Sequence, residues 1–236
     1  MLKGFHRILL KVSGEFLMGD RDYGLDVKTV DRIAEEVKIV RDFGVEVCIV
    51  VGGGNIFRGV SAAAYGMHRA AADNIGMLAT VMNSIAFQNS LERVGVDTRV
   101  MSAIHMPNIC EPYIQRKAIR HLDKGRVVIC AAGSGNPYFS TDTAAVLRAL
   151  ETNCETFIKA TKVDGVYDSD PVKNPNARFL EKLSYDEVID KNIKIMDHTA
   201  ITLAKENGIP MIVFSLKEKG NLEKVLLRTG KYSLII

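Results

Sequence analysis

Short apolar runs alternate with segments of helical periodicity along most of this chain. The runs are typical of buried strands and predict strands at 7–13, 45–51, 98–102, 127–131, 155–160 and 211–214, with a final strand-like tail. Apolar residues spaced by three or four positions predict helices at 27–43, about 69–93, about 112–122, from 141, 185–190, 197–207 and 221–227. This alternation, clearest in the first half, indicates an α/β fold.

Two segments carry residues that suggest more than a helix or a loop. The longest helix, 69–93, has an apolar face that we expect to lie in the core, formed by Met77, Leu78, Val81, Met82, Ile85 and Leu91. Asp73, near its start, suits the positive end of the helix dipole. The segment from Thr161 to Pro171 is rich in turn residues and predicts a surface loop, in which the ring of Tyr167 could stack on a base.

The composition is that of a globular protein. Of the 236 residues, 47% are hydrophobic, which is enough to bury a large core. The formal net charge of +3 arises from interspersed positive and negative residues, which argues against a nucleic-acid-binding stripe. No apolar run reaches the length of a membrane span or of a signal peptide's hydrophobic segment, so we expect no membrane association.

Cysteine usage points to a reducing compartment. The four cysteines, Cys48, Cys110, Cys130 and Cys154, are widely spaced and include no Cys-x-x-Cys pair. Two of them fall inside apolar runs that predict buried strands. We therefore expect free core thiols rather than disulfides or metal ligands, and a cytoplasmic location.

Two glycine-rich turns follow predicted strands. Gly133–Asp142 comes between the 127–131 run and a helix, while the triple glycine 52–54 follows the second strand directly. Glycines let backbone amides approach a phosphate closely, and the start of a helix presents free N–H groups. Arg58 could add a guanidinium fork to the second turn. Either turn could be an ordinary connection, but two in one chain favour a site for phosphorylated ligands.

The first predicted strand contains an unusual lysine. Lys11 interrupts the apolar run Ile8–Val12, and Gly14 follows it closely. A lysine in this setting either extends to solvent at an edge or meets a buried anion, because an unpaired buried charge is costly.

Four of these segments, taken in order, resemble the bacterial uridylate kinases, a family within the amino acid kinase superfamily. They are Lys11-Val12-Ser13-Gly14-Glu15, Gly52-Gly53-Gly54-Asn55-x-x-Arg58, the Gly-Ser-Gly-Asn-Pro stretch at 133–137, and Ala160–Tyr167. Their order and spacing extend across essentially the whole chain, which is far more specific than one glycine loop. The resemblance implies a single amino acid kinase domain over 1–236, with a three-layer α/β/α sandwich and a mostly parallel central sheet.

The resemblance also implies a reaction, in which the γ-phosphoryl group of Mg-ATP is transferred to UMP to give UDP in pyrimidine nucleotide biosynthesis. The implied ATP contacts are Lys11, Val12, Ser13, Gly14, Gly54, Arg58, Thr161, Tyr167 and Asp170. The implied UMP contacts are Gly53, Asp73, Ser134, Gly135, Asn136, Pro137, Tyr138, Phe139, Ser140 and Thr141. The UMP side would lie mainly in the first half and in 134–141, and the ATP side mainly in 155–236 and 11–14.

Assembly and regulation are implied as well. The resemblance predicts a homohexamer, inhibition by UTP and, as in many members, activation by GTP through the loop Gly19, Asp20, Arg21, Asp22, Tyr23 and Gly24. This chain departs from the more usual pattern by having Ser134 and Ser140 in place of threonine, and Tyr138 in place of phenylalanine. A serine keeps the hydroxyl group, whereas Tyr138 adds a polar tip that could adjust the fit of the nucleotide.

Phosphoryl transfer between two anions requires alignment and charge neutralisation rather than covalent help from the protein. The candidate catalytic residues are Lys11, Arg58 and Asp142. Lys11 and Arg58 suit neutralisation, while Asp142 either orients Lys11 or is simply an acid at a helix start. Asp197 is a second candidate for the orienting role. We expect Mg²⁺ to be held mainly by nucleotide phosphates and water, with no metal site made of protein side chains.

Three other functions share some of these features. A kinase of the same fold acting on an amino-acid carboxylate or carbamate would share the ATP half, but would not need Asp73 and the 136–141 wall in this form. A non-catalytic nucleotide-binding protein would not need both Lys11 and Asp142. A dinucleotide dehydrogenase is disfavoured, because no Gly-x-Gly-x-x-Gly motif occurs in the first strand-helix unit.

Overall fold

The computed structural model describes residues 5–58, 66–171 and 173–236, and its centre is one large β-sheet. The elements in chain order are β1 (Arg7–Val12), α1 (Gly14–Leu17), α2 (Val27–Asp42), β2 (Glu46–Val51), α3 (Arg69–Arg93), β3 (Thr98–Ser102), β4 (Glu111–Pro112), α4 (Gln115–Asp123), β5 (Val127–Ala131), α5 (Thr141–Glu151), β6 (Thr156–Thr161), β7 (Val166–Tyr167), β8 (Phe179–Leu180), β9 (Lys182–Leu183), α6 (Tyr185–Asp190), α7 (His198–Glu206), β10 (Met211–Ser215), α8 (Asn221–Leu226) and β11 (Ser233–Ile235).

Over the described residues, the large sheet has nine strands in the order β4-β3-β5-β2-β1-β6-β10-β11-β9. The β10–β11 pair is antiparallel, and the other neighbouring pairs are parallel. Strands β7 and β8 form a separate antiparallel pair. Because parallel strands end at the same edge of a sheet, the turns after β1, β2, β5 and β6 lie along one edge, where ligands of open α/β sheets bind.

Helices cover both faces of the sheet. Side chains alternate along the strands, so that Ile8 and Leu10 of β1 join one apolar cluster and Leu9 joins the other. Helices α1, α2, α3 and α8 contribute to the first cluster, and α4 to α7 contribute to the second. The predicted three-layer α/β/α sandwich with a mostly parallel sheet is therefore confirmed.

Most predicted elements are present, with local differences. Gly14–Leu17 forms a one-turn helix where the sequence predicted only a turn. Helix α4 begins at Gln115 instead of near Pro112, because Glu111–Pro112 pairs with β3 at the sheet edge, a position that tolerates proline. The predicted surface loop after Thr161 contains β7, which pairs with β8. These short strands are too brief to give a periodic signal.

The apolar face of α3 is divided between core and surface. The residues Met77, Val81 and Leu91 are buried, as predicted. The prediction was wrong for the other three, since Leu78, Met82 and Ile85 are 48%, 56% and 38% exposed. A helix on a sheet buries only the side that faces the strands, and periodicity reports how apolar a face is without reporting what covers it.

The cysteine side chains lie mostly in the core. All four cysteines are free; Cys48, Cys130 and Cys154 are buried, and Cys110 is half-buried. The sulfur atoms of Cys48 and Cys130, on neighbouring strands, are 3.7 Å apart. Within residues 5–58, 66–171 and 173–236, no helix has the length and apolar character needed to cross a bilayer.

Candidate active site

Two cavities lie where the parallel strands end. The first, of about 490 Å³, is lined by residues that follow β6 and by the segment between α6 and α7, namely Thr161, Val163, Gly165–Pro171, Lys191–Ile195 and Val213. The second, of about 520 Å³, is formed by the turns after β2 and β5 and by α3, with the lining residues Glu15, Gly53, Gly54, Phe57, Arg58, Arg69, Ala72, Asp73, Gly76, Met77, Thr80, Gly133, Ser134, Asn136, Phe139, Ser140 and Thr141. Each has the size of a small-ligand site.

The first cavity is lined by three of the residues that the resemblance assigned to ATP, namely Thr161, Tyr167 and Asp170. The hydroxyl of Tyr167 donates a 2.7 Å hydrogen bond to Asp164, and its ring packs edge-on against Phe179 with the ring centres 5.5 Å apart. Lys231 Nζ lies 2.6 Å from the same Asp164 carboxylate. The ring of Tyr167 is thus held in place by contacts on two sides, as a stacking platform for a base requires.

Most residues assigned to UMP line the second cavity: Gly53, Asp73, Ser134, Asn136, Phe139, Ser140 and Thr141. Among the described residues, Gly135, Pro137 and Tyr138 do not line this cavity, although they belong to the same glycine-rich stretch. Gly54 and Arg58, which the resemblance placed beside ATP, also line this second cavity. The Arg58 guanidinium lies 2.6 Å from the Glu15 carboxylate on the cavity rim.

The stretch from 132 to 138 has an unusual backbone. Gly133 and Gly135 have φ angles of 56° and 80°, which glycine adopts without steric cost. Ala132 and Tyr138 adopt φ angles of 60° and 73°, where a Cβ is disfavoured. The Asp73 carboxylate accepts a 2.8 Å hydrogen bond from the Tyr138 backbone N–H. A side chain of α3 therefore holds the glycine-rich stretch in a conformation that the chain alone would disfavour.

The first-strand turn is packed against the triple-glycine turn. Val12 is fully buried, so a ligand could reach only its backbone, and Ser13 is the residue before α1. A Cβ on Gly14 would lie 2.6 Å from Asn55 Oδ1 and 2.7 Å from Gly54 N. Only glycine fits at position 14, because these contacts are shorter than any side chain allows.

Two lysines converge on one carboxylate beside these turns. Lys11 Nζ lies 2.7 Å from Asp142 Oδ1, and Lys159 Nζ donates a 2.6 Å hydrogen bond to Asp142 Oδ2. Asp142 is in the first turn of α5, which Ser140 caps by accepting a hydrogen bond from the Thr143 N–H. Lys11 and Lys159 are 7% and 9% exposed, so these are buried ion pairs rather than lysines extending to solvent.

Sequence reasoning missed Lys159. It lies in the apolar run Thr156–Thr161, and it therefore carries the same signal that singled out Lys11, a charged residue within a buried strand. Lys159 Nζ also donates a 2.7 Å hydrogen bond to the Ile195 carbonyl. Ile195 lines the first cavity, whereas Thr141, next to Asp142, lines the second. The lysine–aspartate cluster thus lies between the two cavities.

The charges of this cluster support one another. Burial alone would raise the pKa of Asp142, but the ammonium groups of Lys11 and Lys159 outweigh it and lower the pKa to about 2. Burial lowers the pKa of Lys159, and the Asp142 carboxylate opposes that effect. A negative carboxylate between two positive lysines leaves one net positive charge, which suits a site that receives a phosphoryl group.

Asp197, the second candidate for the orienting role, lies close enough to Lys159 for its charge to act on that lysine, but its hydrogen bonds go elsewhere. Its carboxylate accepts hydrogen bonds from the hydroxyls of Ser140 and Thr143, the latter at 2.8 Å, and from the Ala200 N–H at the start of α7. Its hydrogen-bond partners in the described part of the chain are thus hydroxyl and backbone groups rather than ammonium groups. Asp197 ties the start of α7 to the start of α5, and so joins the walls of the two cavities.

The loop 19–24 lies outside both of these cavities in the described structure. Gly19 and Asp20 line a further cavity of about 440 Å³, together with Phe16, Thr29, Arg32, Lys162 and Lys217. At the other end of the loop, the Gly24 N–H donates a 2.9 Å hydrogen bond to the Asn55 carbonyl. The loop therefore contacts the triple-glycine turn directly.

This chain is similar to proteins of one family over nearly its whole length. The model of the amino acid kinase family matches residues 6–215. A uridylate kinase from Paramagnetospirillum magneticum is 59% identical over 231 residues, covering 98% of this chain and 96% of the relative. A uridylate kinase from Rickettsia bellii is 56% identical over 231 residues, covering 98% of this chain and 97% of that relative.

Solved structures give the same result. The crystal structure of UMP kinase from Bacillus anthracis superposes with a TM-score of 0.94 at 38% identity, covering 99% of this chain and 96% of the other. The crystal structure of UMP kinase from Ureaplasma parvum gives a TM-score of 0.93 at 37% identity, covering 98% of each chain.

Proposed function

Because this chain belongs to the amino acid kinase family and, within it, to the uridylate kinases, we propose that it transfers the γ-phosphoryl group of ATP to UMP, giving UDP and ADP. The reaction would supply UDP to pyrimidine nucleotide biosynthesis, with residues 1–236 acting as a single amino acid kinase domain. The alternative acceptors, an amino-acid carboxylate or carbamate, are not favoured by relatives of this similarity.

The observation that carries the proposal is the position of Asp142 between Lys11 and Lys159. The cluster lies between a cavity with an aromatic wall and a cavity bordered by two glycine-rich turns. ATP in the first cavity and UMP in the second would meet at this cluster. Lys11 and Lys159 neutralise charge on the moving phosphoryl group, and Asp142 keeps both ammonium groups in place.

The other residues bind and align. Thr161, Tyr167 and Asp170 hold adenosine, while Asp73, Ser134 and the 136–141 wall hold UMP. Arg58 lies in the second cavity and adds a second source of positive charge near the acceptor phosphate. The UMP phosphate is itself a nucleophile, so no side chain removes a proton.

ATP is used with Mg²⁺. The residues that meet at the junction are mainly lysines, which leave nucleotide phosphates as the anionic groups available to a cation there. Nucleotide phosphates and water are the usual ligands of Mg²⁺ in such sites, and they fit this donor set. When bound, the ion neutralises phosphate charge. The lysines and Arg58 do the same from the protein side.

The proposal extends to assembly, regulation and location. The resemblance implies a homohexamer, and the apolar outer face of α3, where Leu78 and Met82 are about half exposed, is suited to a contact between subunits. UTP resembles the reaction product and would inhibit, and GTP would activate through the loop 19–24. Free buried thiols support a cytoplasmic location.

One assay separates these possibilities. ADP release from Mg-ATP is measured with UMP, CMP, glutamate and carbamate in parallel, and UMP should give the highest kcat/KM. Faster turnover with glutamate or carbamate would overturn the proposal, and ADP release with none of the four would favour a non-catalytic nucleotide-binding protein. Adding GTP or UTP to the UMP reaction, with a sizing run on the same sample, tests regulation and assembly.

A further inference from the structure

Two buried asparagines form a closed pair beneath the active-site turns. Asn55 Nδ2 donates a 3.0 Å hydrogen bond to Asn83 Oδ1, and Asn83 Nδ2 donates a 2.7 Å hydrogen bond to Asn55 Oδ1. Asn55 is 2% exposed and Asn83 is fully buried. Neither residue lines the two cavities as the described residues define them, and the reaction outlined above uses neither.

The second hydrogen of each amide reaches a backbone carbonyl. Asn83 donates a 2.7 Å hydrogen bond to the Gly52 carbonyl, at the start of the triple-glycine turn. Asn55 donates a 2.9 Å hydrogen bond to the Gly24 carbonyl, and the Gly24 N–H returns a 2.9 Å hydrogen bond to the Asn55 carbonyl. All four amide hydrogens are therefore used. Fully satisfied buried polar networks hold a structure in one arrangement.

The pair contacts four parts of the chain that meet at the active-site edge of the sheet. Asn83 belongs to α3, and Asn55 follows the triple-glycine turn. The Gly24 contacts bring in the loop 19–24, and the tight packing of Gly14 against Asn55 Oδ1 brings in the first-strand turn. The first-strand turn follows Lys11, and the triple-glycine turn forms part of the acceptor cavity.

We propose that Asn55 and Asn83 are positioning residues, which fix the distance between the donor-side and acceptor-side turns and transmit the position of the loop 19–24 to both. This inference rests on the proposed kinase function. An apolar pair of the same volume would fill the space, but it would not hold the Gly52 and Gly24 carbonyls. In-line transfer depends on alignment, and a shift of about 1 Å can cost on the order of 100-fold in rate.

The test uses Asn83→Leu, Asn55→Leu and the double variant, since leucine has the same branching and the same number of side-chain heavy atoms as asparagine but cannot form these hydrogen bonds. We expect kcat to fall about 10- to 100-fold in each single variant, with the KM values for UMP and ATP within about threefold of wild type, because misalignment acts on the transition state. The kcat of the double variant should be about the same as that of the less active single variant, because the two residues act as one unit.

Thr156→Val is the matched control. Thr156 is fully buried, and its hydroxyl donates a 3.0 Å hydrogen bond to the Pro210 carbonyl at the opposite edge of the sheet. We expect this variant to lower the melting temperature without lowering kcat. A purely structural role for the asparagine pair would produce the same behaviour, so asparagine variants with a lowered melting temperature and unchanged kcat in the folded protein would overturn the proposal.

Hydrogen exchange tests the link to the loop 19–24. Asn83 does not hydrogen-bond to that loop, yet Asn83→Leu should speed amide exchange in the peptide that contains Gly24, because Asn55 loses its partner. Unchanged exchange there would contradict transmission through the pair. If the wild-type protein released no ADP with UMP, the proposed kinase function itself would be refuted. If the wild type were active and the asparagine variants had the same kcat, only this inference would be refuted.

Discussion

Lys11 and Lys159 are register partners on the neighbouring parallel strands β1 and β6. Like charges placed side by side in a sheet are normally destabilising, and both of these side chains are buried. The Asp142 carboxylate, which contacts both ammonium groups, offsets the repulsion. A cost of this kind is expected where a site must keep positive charge ready for a phosphoryl group.

The Lys11→Ala variant should lower kcat by well over tenfold, which corresponds to more than about 1.4 kcal/mol of transition-state stabilisation. Loss of one of two ammonium groups leaves the charge on the moving group less neutralised. Steady-state ADP release measures the effect, and Lys38→Ala, on the exposed surface of α2, serves as control. Near-normal turnover in a folded Lys11→Ala protein would remove Lys11 from the catalytic role.

The Lys159→Met variant should lower kcat by a similar factor, at least about tenfold, because Lys159 reaches the same carboxylate from the next strand. It should also disturb ATP binding more than Lys11→Ala does, since its bond to the Ile195 carbonyl supports the first cavity. Kinetics and ATP titration measure both effects. Lys182→Met, which replaces an exposed lysine on β9, is the matched control. If Lys159→Met had the same kcat and ATP affinity as this control, Lys159 would have no role in catalysis.

The stability of the protein should fall at acid pH partly through Asp142. Its pKa is about 2 in the folded protein, against an ordinary value of 3.8, so the unfolded chain takes up the proton first. The stabilisation from this carboxylate is therefore present above about pH 4 and lost as the pH falls towards 2. Denaturant unfolding across that range should show a shallower pH dependence in Asp142→Asn than in wild type. Equal slopes would show that Asp142 does not make this contribution.

The Asp73→Asn variant should raise the KM for UMP far more than the KM for ATP. The carboxylate faces the acceptor cavity and accepts the Tyr138 N–H, so a neutral amide weakens both direct binding and the support of the glycine-rich stretch. Initial rates with each substrate varied in turn measure the split. Asp42→Asn, at the end of α2, should change neither KM. An equal rise for both substrates in Asp73→Asn would contradict placement at the acceptor.

Charged substitutions on the outer face of α3 should reduce the size of the proposed homohexamer. Leu78→Glu and Met82→Glu each place a carboxylate on an exposed apolar face that a partner subunit would cover. Light scattering after size exclusion measures the change. Val27→Glu, at an equally exposed apolar position on α2, should leave the assembly intact. If the Leu78 and Met82 variants elute as wild type does, this face is not the contact between subunits.

Much of the fold and part of the site could be predicted from the sequence. Strand and helix periods located the main elements, because the sheet buries both strand faces and most helices bury one side. Lys11 could be selected because a charge within a buried strand needs a partner. Lys159 has the same property and could have been found in the same way.

Other features depend on contacts between distant segments. Periodicity could not distinguish the buried residues of α3 from Leu78 and Met82, because both sets are equally apolar. The Asn55–Asn83 pair gave no signal either, since asparagine after a glycine turn and asparagine within a helix are each unremarkable locally.

The sequence by itself determined the order of strands and helices, the glycine-rich turns and the family, since these depend on local propensity and on spacing along the chain. Only the tertiary structure decided which charges meet. The parallel register of β1 and β6 brings Lys11 opposite Lys159, and α5 supplies Asp142 to both. Register and helix packing are set by the whole core, so no segment read alone could specify them.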